Sequence, residues 1–209
     1  MSARRAVTEA DVRRVGPGGT LEVPQGAVIT PAARDLARQL GVALSEPAAA
    51  ALPASPPPRL PASGTPVVAI GADHGGFPMK EQLKALLGEL GYQTLDVGTH
   101  STAAVDYPDF AVAVARAVAG GQAWRGIMVD GAGIGSAMAA NKVAGVRAAL
   151  CYDLTTAHNA REHNDANVLT LGGTLIGPRL AADIVRAFLT TPFGGGRHQQ
   201  RVAKINALD

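Results

Sequence analysis

Between Val67 and Leu189 the chain alternates, five times over, a short apolar run with a helix-like segment. The runs are Val67 to Gly71, Tyr92 to Gly98, Gly126 to Val129, Val146 to Cys151 and Val168 to Leu171. The helices that follow them read as Pro78 to Leu90, Tyr107 to Ala119, Ile134 to Lys142, Leu154 to Glu162 and Pro178 to Leu189. A helix after every strand predicts an α/β fold with a five-stranded parallel sheet covered on both faces, a three-layer αβα sandwich. Ligands of such sheets bind beyond the carboxyl ends of the strands, and the polar residues gather there: Asp73-His74, Thr99-His100, Asp130, Asp153 and Gly172-Gly173-Thr174.

Ahead of this pattern, Glu46 to Pro66 is almost wholly Ala, Pro and Ser, and reads as a linker between an N-terminal extension (1–45) and the main domain (67–209). In the extension, Thr8 with Asp11 resembles a capping box, Thr20 to Val23 a short strand and Pro24-Gln25-Gly26 a turn. Thr30 caps a second helix, with Pro31 at its first position, Leu36 and Leu40 on one face and Gly41 closing it. A unit this short is expected to lack an independent core and to dock on its own catalytic domain or on another protein.

A net charge of +2, with 17% charged and 4% aromatic residues, argues against nucleic acid as a partner. No apolar run approaches the roughly 18 residues of a membrane span, and Met1 to Val15 carries no apolar signal core, so no membrane association and a cytoplasmic location are expected. Cys151 is the one cysteine and falls in an apolar run, as a buried structural thiol does.

The stretch Val129-Asp130-Gly131-Ala132-Gly133-Ile134-Gly135-Ser136 turns from strand into helix through three glycines. Its backbone N–H groups would converge on one point, with Asp130 as a proton acceptor beside an oxyanion hole. Tight strand-to-helix packing alone also explains such glycines. A nicotinamide site is disfavoured, because a dinucleotide fingerprint follows the first strand and this loop follows the third. Asp73-His74 is either a surface turn or a grip for sugar hydroxyls and phosphate. His163 stands at a helix C-terminus, where histidine also serves as a cap for the dipole. Arg197 and Arg201, four apart, would share one helical face suited to a phosphate, or are solvated charges.

Taken in order, Gly-Ala-Asp-His-Gly-Gly-Phe (71–77), Asp-Tyr-Pro-Asp-Phe-Ala (106–111), the Asp130 loop through Val143, Gly-Val-Arg-Ala-Ala-Leu-Cys (145–151), Ala-Arg-Glu-His-Asn-Asp-Ala-Asn-Val-Leu (160–169) and Gly-Gly-Arg-His-Gln-Gln-Arg-Val (195–202) resemble the type B ribose-5-phosphate isomerase family, which includes the galactose-6-phosphate isomerase subunits. The resemblance covers residues 67 to about 207. It implies a Rossmann-like homodimer, with a tetramer as the other possibility, that interconverts aldose and ketose phosphates through an enediolate, without metal or cofactor, at sites on the dimer interface. It implies that Asp73 and His74 contact substrate oxygens, that Tyr107 lines the pocket, and that His163 and Asn164 assist ring opening and sugar binding. The backbone of Gly131, Ala132, Gly133, Ile134 and Gly135 would hold the enediolate, and Arg197 and Arg201 the phosphate, reaching across to the partner's site.

Three positions depart from the common pattern. Asp130 stands where most members carry a cysteine base, Ala132 replaces a threonine, and Thr174 replaces an arginine that contacts phosphate. A second subfamily has a glutamate where this chain has Ser136. The leading reading is an isomerase of ribose 5-phosphate and ribulose 5-phosphate with Asp130 as proton shuttle. The alternative is a sugar-phosphate-binding paralogue without turnover. The segment from Val28 to Val42 resembles those attached to enzymes of bacterial microcompartments, which makes shell or cargo proteins candidate partners and a microcompartment a candidate location.

Overall fold

The computed structural model describes residues 6–24, 27–45 and 64–209, which fall into two compact units. The turn read at residues 24–26 and most of the 46–66 linker lie outside the described residues. Among the described residues, no helix is long and apolar enough to cross a membrane.

The first unit runs β1 (Ala6–Val7), α1 (Glu9–Val15), β2 (Thr20–Glu22), β3 (Val28–Ile29), α2 (Pro31–Leu40) and β4 (Ala43–Ser45). Both capping signals read from the sequence form. Thr8 donates its N–H and hydroxyl to Asp11 Oδ2 at 2.9 Å, and Thr30 Oγ1 accepts from the N–H of Ala33 at 3.2 Å. Gly41 ends α2 in the left-handed region at φ 62°. The expectation of no core is corrected. β1 pairs in parallel with β3 and β2 with β4, so two β-α-β halves join strand to counterpart strand. Their helices enclose Val12, Ala33, Ala37 and Val42, flanked by Leu21, Ile29, Leu36 and Leu44.

The second unit holds β5 (Val67–Ala72), α3 (Phe77–Glu89), β6 (Gln93–Asp96), α4 (Tyr107–Ala119), β7 (Arg125–Asp130), α5 (Ile134–Ala140), β8 (Ala148–Leu150), α6 (Leu154–Glu162), β9 (Val168–Gly172), α7 (Pro178–Thr190) and α8 (Gln199–Asn206). The five strands form one parallel sheet in the order β6-β5-β7-β9-β8. Alternate residues feed opposite faces. Val68, Ile70, Ile127, Val129, Leu169 and Leu171 pack with α3, α6 and α7 on one side. Ala69, Met128 and Val168 pack with α4 and α5 on the other, which completes the three layers.

Two strands are shorter than their apolar runs. β6 ends as a regular strand at Asp96, although Val97, Gly98 and Thr99 still bond to the backbone of Ile70 and Ala72 in β5; Gly98 takes φ 103° there and the Asp96 carboxylate accepts its outward N–H at 3.0 Å. β8 starts only at Ala148, since the N–H of Arg147 donates to Asn167 Oδ1 at 2.8 Å and not to a neighbouring strand. Cys151 is fully buried, and burial pushes its thiol up to about 11.

Candidate active site

The chain passes from β5 to β6 on one side and then to β7 on the other, so strand order reverses between β5 and β7. The crevice of such a sheet lies at that switch point, beyond the carboxyl ends. Asp73 directly follows β5 and Asp130 ends β7. Asp73 is buried: Oδ1 accepts from the N–H of Gly76 at 2.8 Å, and its own N–H donates to the carbonyl of Val129 at 3.1 Å. This turn presses Gly76 onto β7, where any Cβ would collide with the Val129 carbonyl. His74, exposed, holds Nδ1 within 3.2 to 3.3 Å of the backbone oxygen and nitrogen of Val105. A Cβ on Gly75 would lie 3.6 Å from the backbone of Gly131, so the two loops are neighbours.

The Asp130 loop is held from inside. Asp130 Oδ1 accepts from the N–H groups of Ala132, at 2.8 Å, and Gly133; Oδ2 accepts from the Ser136 N–H at 3.2 Å and from the Ser136 hydroxyl. Those four donors match the roughly four lone-pair directions of a carboxylate. Gly133 makes the turn at φ 80°, wedged against Leu150 and the backbone of Leu171. From outside, the Thr174 hydroxyl donates to the carbonyl of Gly131 at 2.6 Å and the Tyr152 hydroxyl to that of Ala132 at 2.8 Å. Tyr107, at the start of α4, lies against α5: a Cβ on Gly135 would sit 2.5 Å from its ring and hydroxyl.

This geometry amends the expected donor set. The N–H groups of Ala132 and Gly133 are taken by the chain's own Asp130, because a carboxylate is long enough to fold back over the turn and accept from both. The N–H groups of Gly131, Ile134 and Gly135 make no hydrogen bond among the described residues and keep their capacity for an anion. Ser136, fully buried, and Tyr152 were missed as partners of this loop by sequence reasoning. A hydroxyl in the first helical turn after a strand-ending aspartate was the available signal for Ser136.

The remaining candidates assemble elsewhere. Helix α6 leaves the C-terminal end of β8 and returns antiparallel to it, so His163 and Asn164 lie at the edge where the strands begin. His163 Nδ1 is 2.9 Å from Asn159 Nδ2, and its ring stacks on His198 with centroids 4.2 Å apart and planes at 5°. Partial desolvation, then the nearby His163, Arg197 and Arg201, hold His198 below the usual histidine range. Arg197 and Arg201 lie on consecutive helical turns on either side of His198. Gly195 and Gly196 take φ of 59° and 53°, which puts Arg197 in a 3₁₀ turn, Gly196–His198, ahead of Arg201 on α8. Arg147 braces this corner: its guanidinium donates to the carbonyls of Asn164 and Asp165, to the Asp165 carboxylate, and to Asn206 on α8 at 2.9 Å. Arg161 pairs with Asp165 from the other side at 2.8 Å, and Asp165 is held in the left-handed region at φ 47°.

Asp73, His74, Tyr107 and the Asp130 loop therefore share the carboxyl edge, while His163, Asn164 and Arg197 share the opposite corner.

Known proteins share this sequence and fold. The family model described as Ribose/Galactose Isomerase matches residues 68–205. Ribose-5-phosphate isomerase B of Escherichia coli is 46% identical over 142 residues, which is 68% of this chain and 95% of that protein. A galactose-6-phosphate isomerase subunit of Streptococcus pyogenes is 41% identical over 141 residues, 68% of this chain and 98% of the subunit. The solved type B ribose 5-phosphate isomerase of Trypanosoma brucei superposes with a TM-score of 0.68 at 50% identity, covering 70% of this chain and all (100%) of that one. From fold, sequence and site together, this chain belongs to the ribose/galactose isomerase family of aldose-ketose isomerases.

Proposed function

We propose that the chain interconverts ribose 5-phosphate and ribulose 5-phosphate, with Asp130 carrying the proton between C2 and C1. The observation that carries this reading is a carboxylate at the sheet's switch point beside the open N–H groups of Gly131, Ile134 and Gly135, walled by Tyr107 and the Asp73-His74 turn. Abstraction at C2 sends the electron pair into a C1–C2 double bond, and the carbonyl oxygen becomes an oxyanion. Those N–H groups then steady the enediolate. The C2 hydroxyl proton passes to the C1 oxygen, and reprotonation at C1, as the C2 carbonyl forms, completes the exchange. Relatives named for ribose 5-phosphate and galactose 6-phosphate support the substrate class.

The opposite placement of His163, Asn164, Arg197 and Arg201 supports a site completed by a second copy of the chain, whose corner brings the ring-opening and phosphate-binding groups to this one's Asp130. Because the Thr174 hydroxyl turns to the Gly131 carbonyl, the phosphate relies on that arginine pair. The small-cored extension with its capped α2 supports a docking role, with microcompartment shell or cargo proteins as partners inside the cytoplasm. A second reading, sugar-phosphate binding without turnover, draws on the four donors that already occupy the Asp130 carboxylate.

The test is a panel of ribose 5-phosphate, allose 6-phosphate and galactose 6-phosphate, assayed in the presence of a chelator, with wild type and Asp130→Asn. Ribose 5-phosphate turnover that falls by several orders of magnitude in the variant, with binding retained, supports the proposal. Tight calorimetric binding with no turnover of any panel member supports the second reading instead.

A further inference from the structure

Resting on the reading of Asp130 as proton shuttle, we infer that Ser136 is its positioning residue: a hydroxyl that serves both protonation states of the carboxyl group and assigns the shuttling to Oδ2. The two oxygens of Asp130 are not equivalent. Oδ1 accepts from the backbone N–H groups of Ala132 and Gly133, which can only donate and are fixed by the turn. Oδ2 accepts from the Ser136 N–H at the longer distance of 3.2 Å and from the Ser136 hydroxyl. A hydroxyl has one donor and two acceptor sites and rotates about its C–O bond.

The reaction needs that property. While Asp130 is ionised, the Ser136 O–H donates to Oδ2. When the C2–H bond breaks, its electron pair enters the C1–C2 double bond and the proton forms an O–H bond on Oδ2. Ser136 then turns and accepts from it; once the C2 hydroxyl proton has passed to the C1 oxygen, the acid returns its own proton to C1 as the C2 carbonyl forms. At Oδ1 a proton would face two N–H groups and no acceptor. Ser136 is fully buried, in the first turn of α5, and among the described residues its hydroxyl bonds to no group except Asp130. An alanine leaves the Oδ2 proton without that acceptor, and removing one partner of a buried bond costs more than the bond's net contribution.

The experiment compares wild type, Ser136→Ala and Ser136→Thr on ribose 5-phosphate, with kcat, KM and the full pH profile of kcat/KM. For Ser136→Ala, kcat falls by roughly ten- to a hundredfold, the kinetic equivalent of one hydrogen bond to a charged group, with KM within about twofold of wild type. Because the ionised carboxylate has lost a donor, the acid limb of kcat/KM moves to higher pH. Ser136→Thr keeps the hydroxyl and recovers most of the lost kcat and the original acid limb. A Ser136→Ala enzyme with the wild-type kcat and acid limb overturns the inference. So does a folded Ser136→Thr enzyme as impaired as the alanine variant, with its acid limb displaced equally. A wild type that turns over no sugar phosphate has a different signature, since it removes the isomerase reading itself and this inference with it.

Discussion

Replacing Lys80 by methionine should destabilise the second unit by about 2 to 4 kcal/mol, and the structure sets that range. The Lys80 side chain is fully buried, and its ammonium contacts both oxygens of Asp96 at 2.8 Å and the carbonyl of Thr99 at 2.7 Å, with Glu81 at 3.2 Å. Removing one member of a buried ion pair costs about 3 to 5 kcal/mol when the other charge is left alone. Asp96 is not left alone. Lys84 remains 2.7 Å away and the Gly98 N–H 3.0 Å away, so the ion-pair part of the loss lies below that range. The Thr99 carbonyl does lose its donor, which adds about 1 to 3 kcal/mol. Methionine fills most of the vacated volume and adds no cavity penalty of note. At about 2 to 4 °C per kcal/mol for a unit of this size, the melting temperature should drop by roughly 4 to 16 °C. Trp124, the one tryptophan in the chain, stacks near Tyr92 with centroids 6.1 Å apart and reports this unit by its fluorescence. A drop of less than about 2 °C would mean that the buried ammonium contributes no net stability and would refute the reasoning.

The same cluster makes acid stability predictable. Burial alone would raise the Asp96 carboxyl, but hydrogen bonds from Lys80, Lys84 and the Gly98 N–H bring it down from 3.8 to about 2. Its stabilisation is thus complete above pH 4 and is lost as pH falls toward 2; after solvent screening it amounts to about 1 kcal/mol. Urea unfolding of wild type should show that loss, and Lys80→Met should show less of it; parallel pH curves would contradict the assignment. A third prediction concerns the divided site. Asp130→Asn and His163→Ala, each nearly inactive alone, should regain roughly a quarter of wild-type activity when unfolded together and refolded as an equal mixture, since half the dimers are mixed and each mixed dimer has one intact site. No recovery, with mixed dimers present, would place all catalytic groups within one chain.

Much of this architecture is legible in the residues, because apolar runs alternating with amphipathic helices leave few arrangements other than a parallel sheet covered on both sides. Ends of elements are less so. β8 begins late because the Asn167 side chain takes the Arg147 N–H, and β6 loses regular geometry at Gly98 while still bonded to β5; no local pattern announces either. The strands β1, β3 and β4 escape notice because none exceeds three residues and each needs its counterpart in the other half to exist. In the site, Asp73, His74, Tyr107 and Asp130 could be named from motif order, but their separation from His163 and Arg197 depends on α6 running back along the sheet. The inward turn of Asp130 is likewise a matter of reach. A carboxylate is long enough to satisfy the N–H groups of Ala132 and Gly133, which the expectation had reserved for substrate.

The claim on which this account most depends is that Asp130 exchanges a proton with the sugar carbon. Following ribose 5-phosphate in deuterated water by NMR measures that transfer at C1 and C2 directly. Wild type should wash solvent deuterium into the sugar while Asp130→Asn incorporates none above the uncatalysed background. Incorporation by Asp130→Asn at the wild-type rate would show that another group moves the proton.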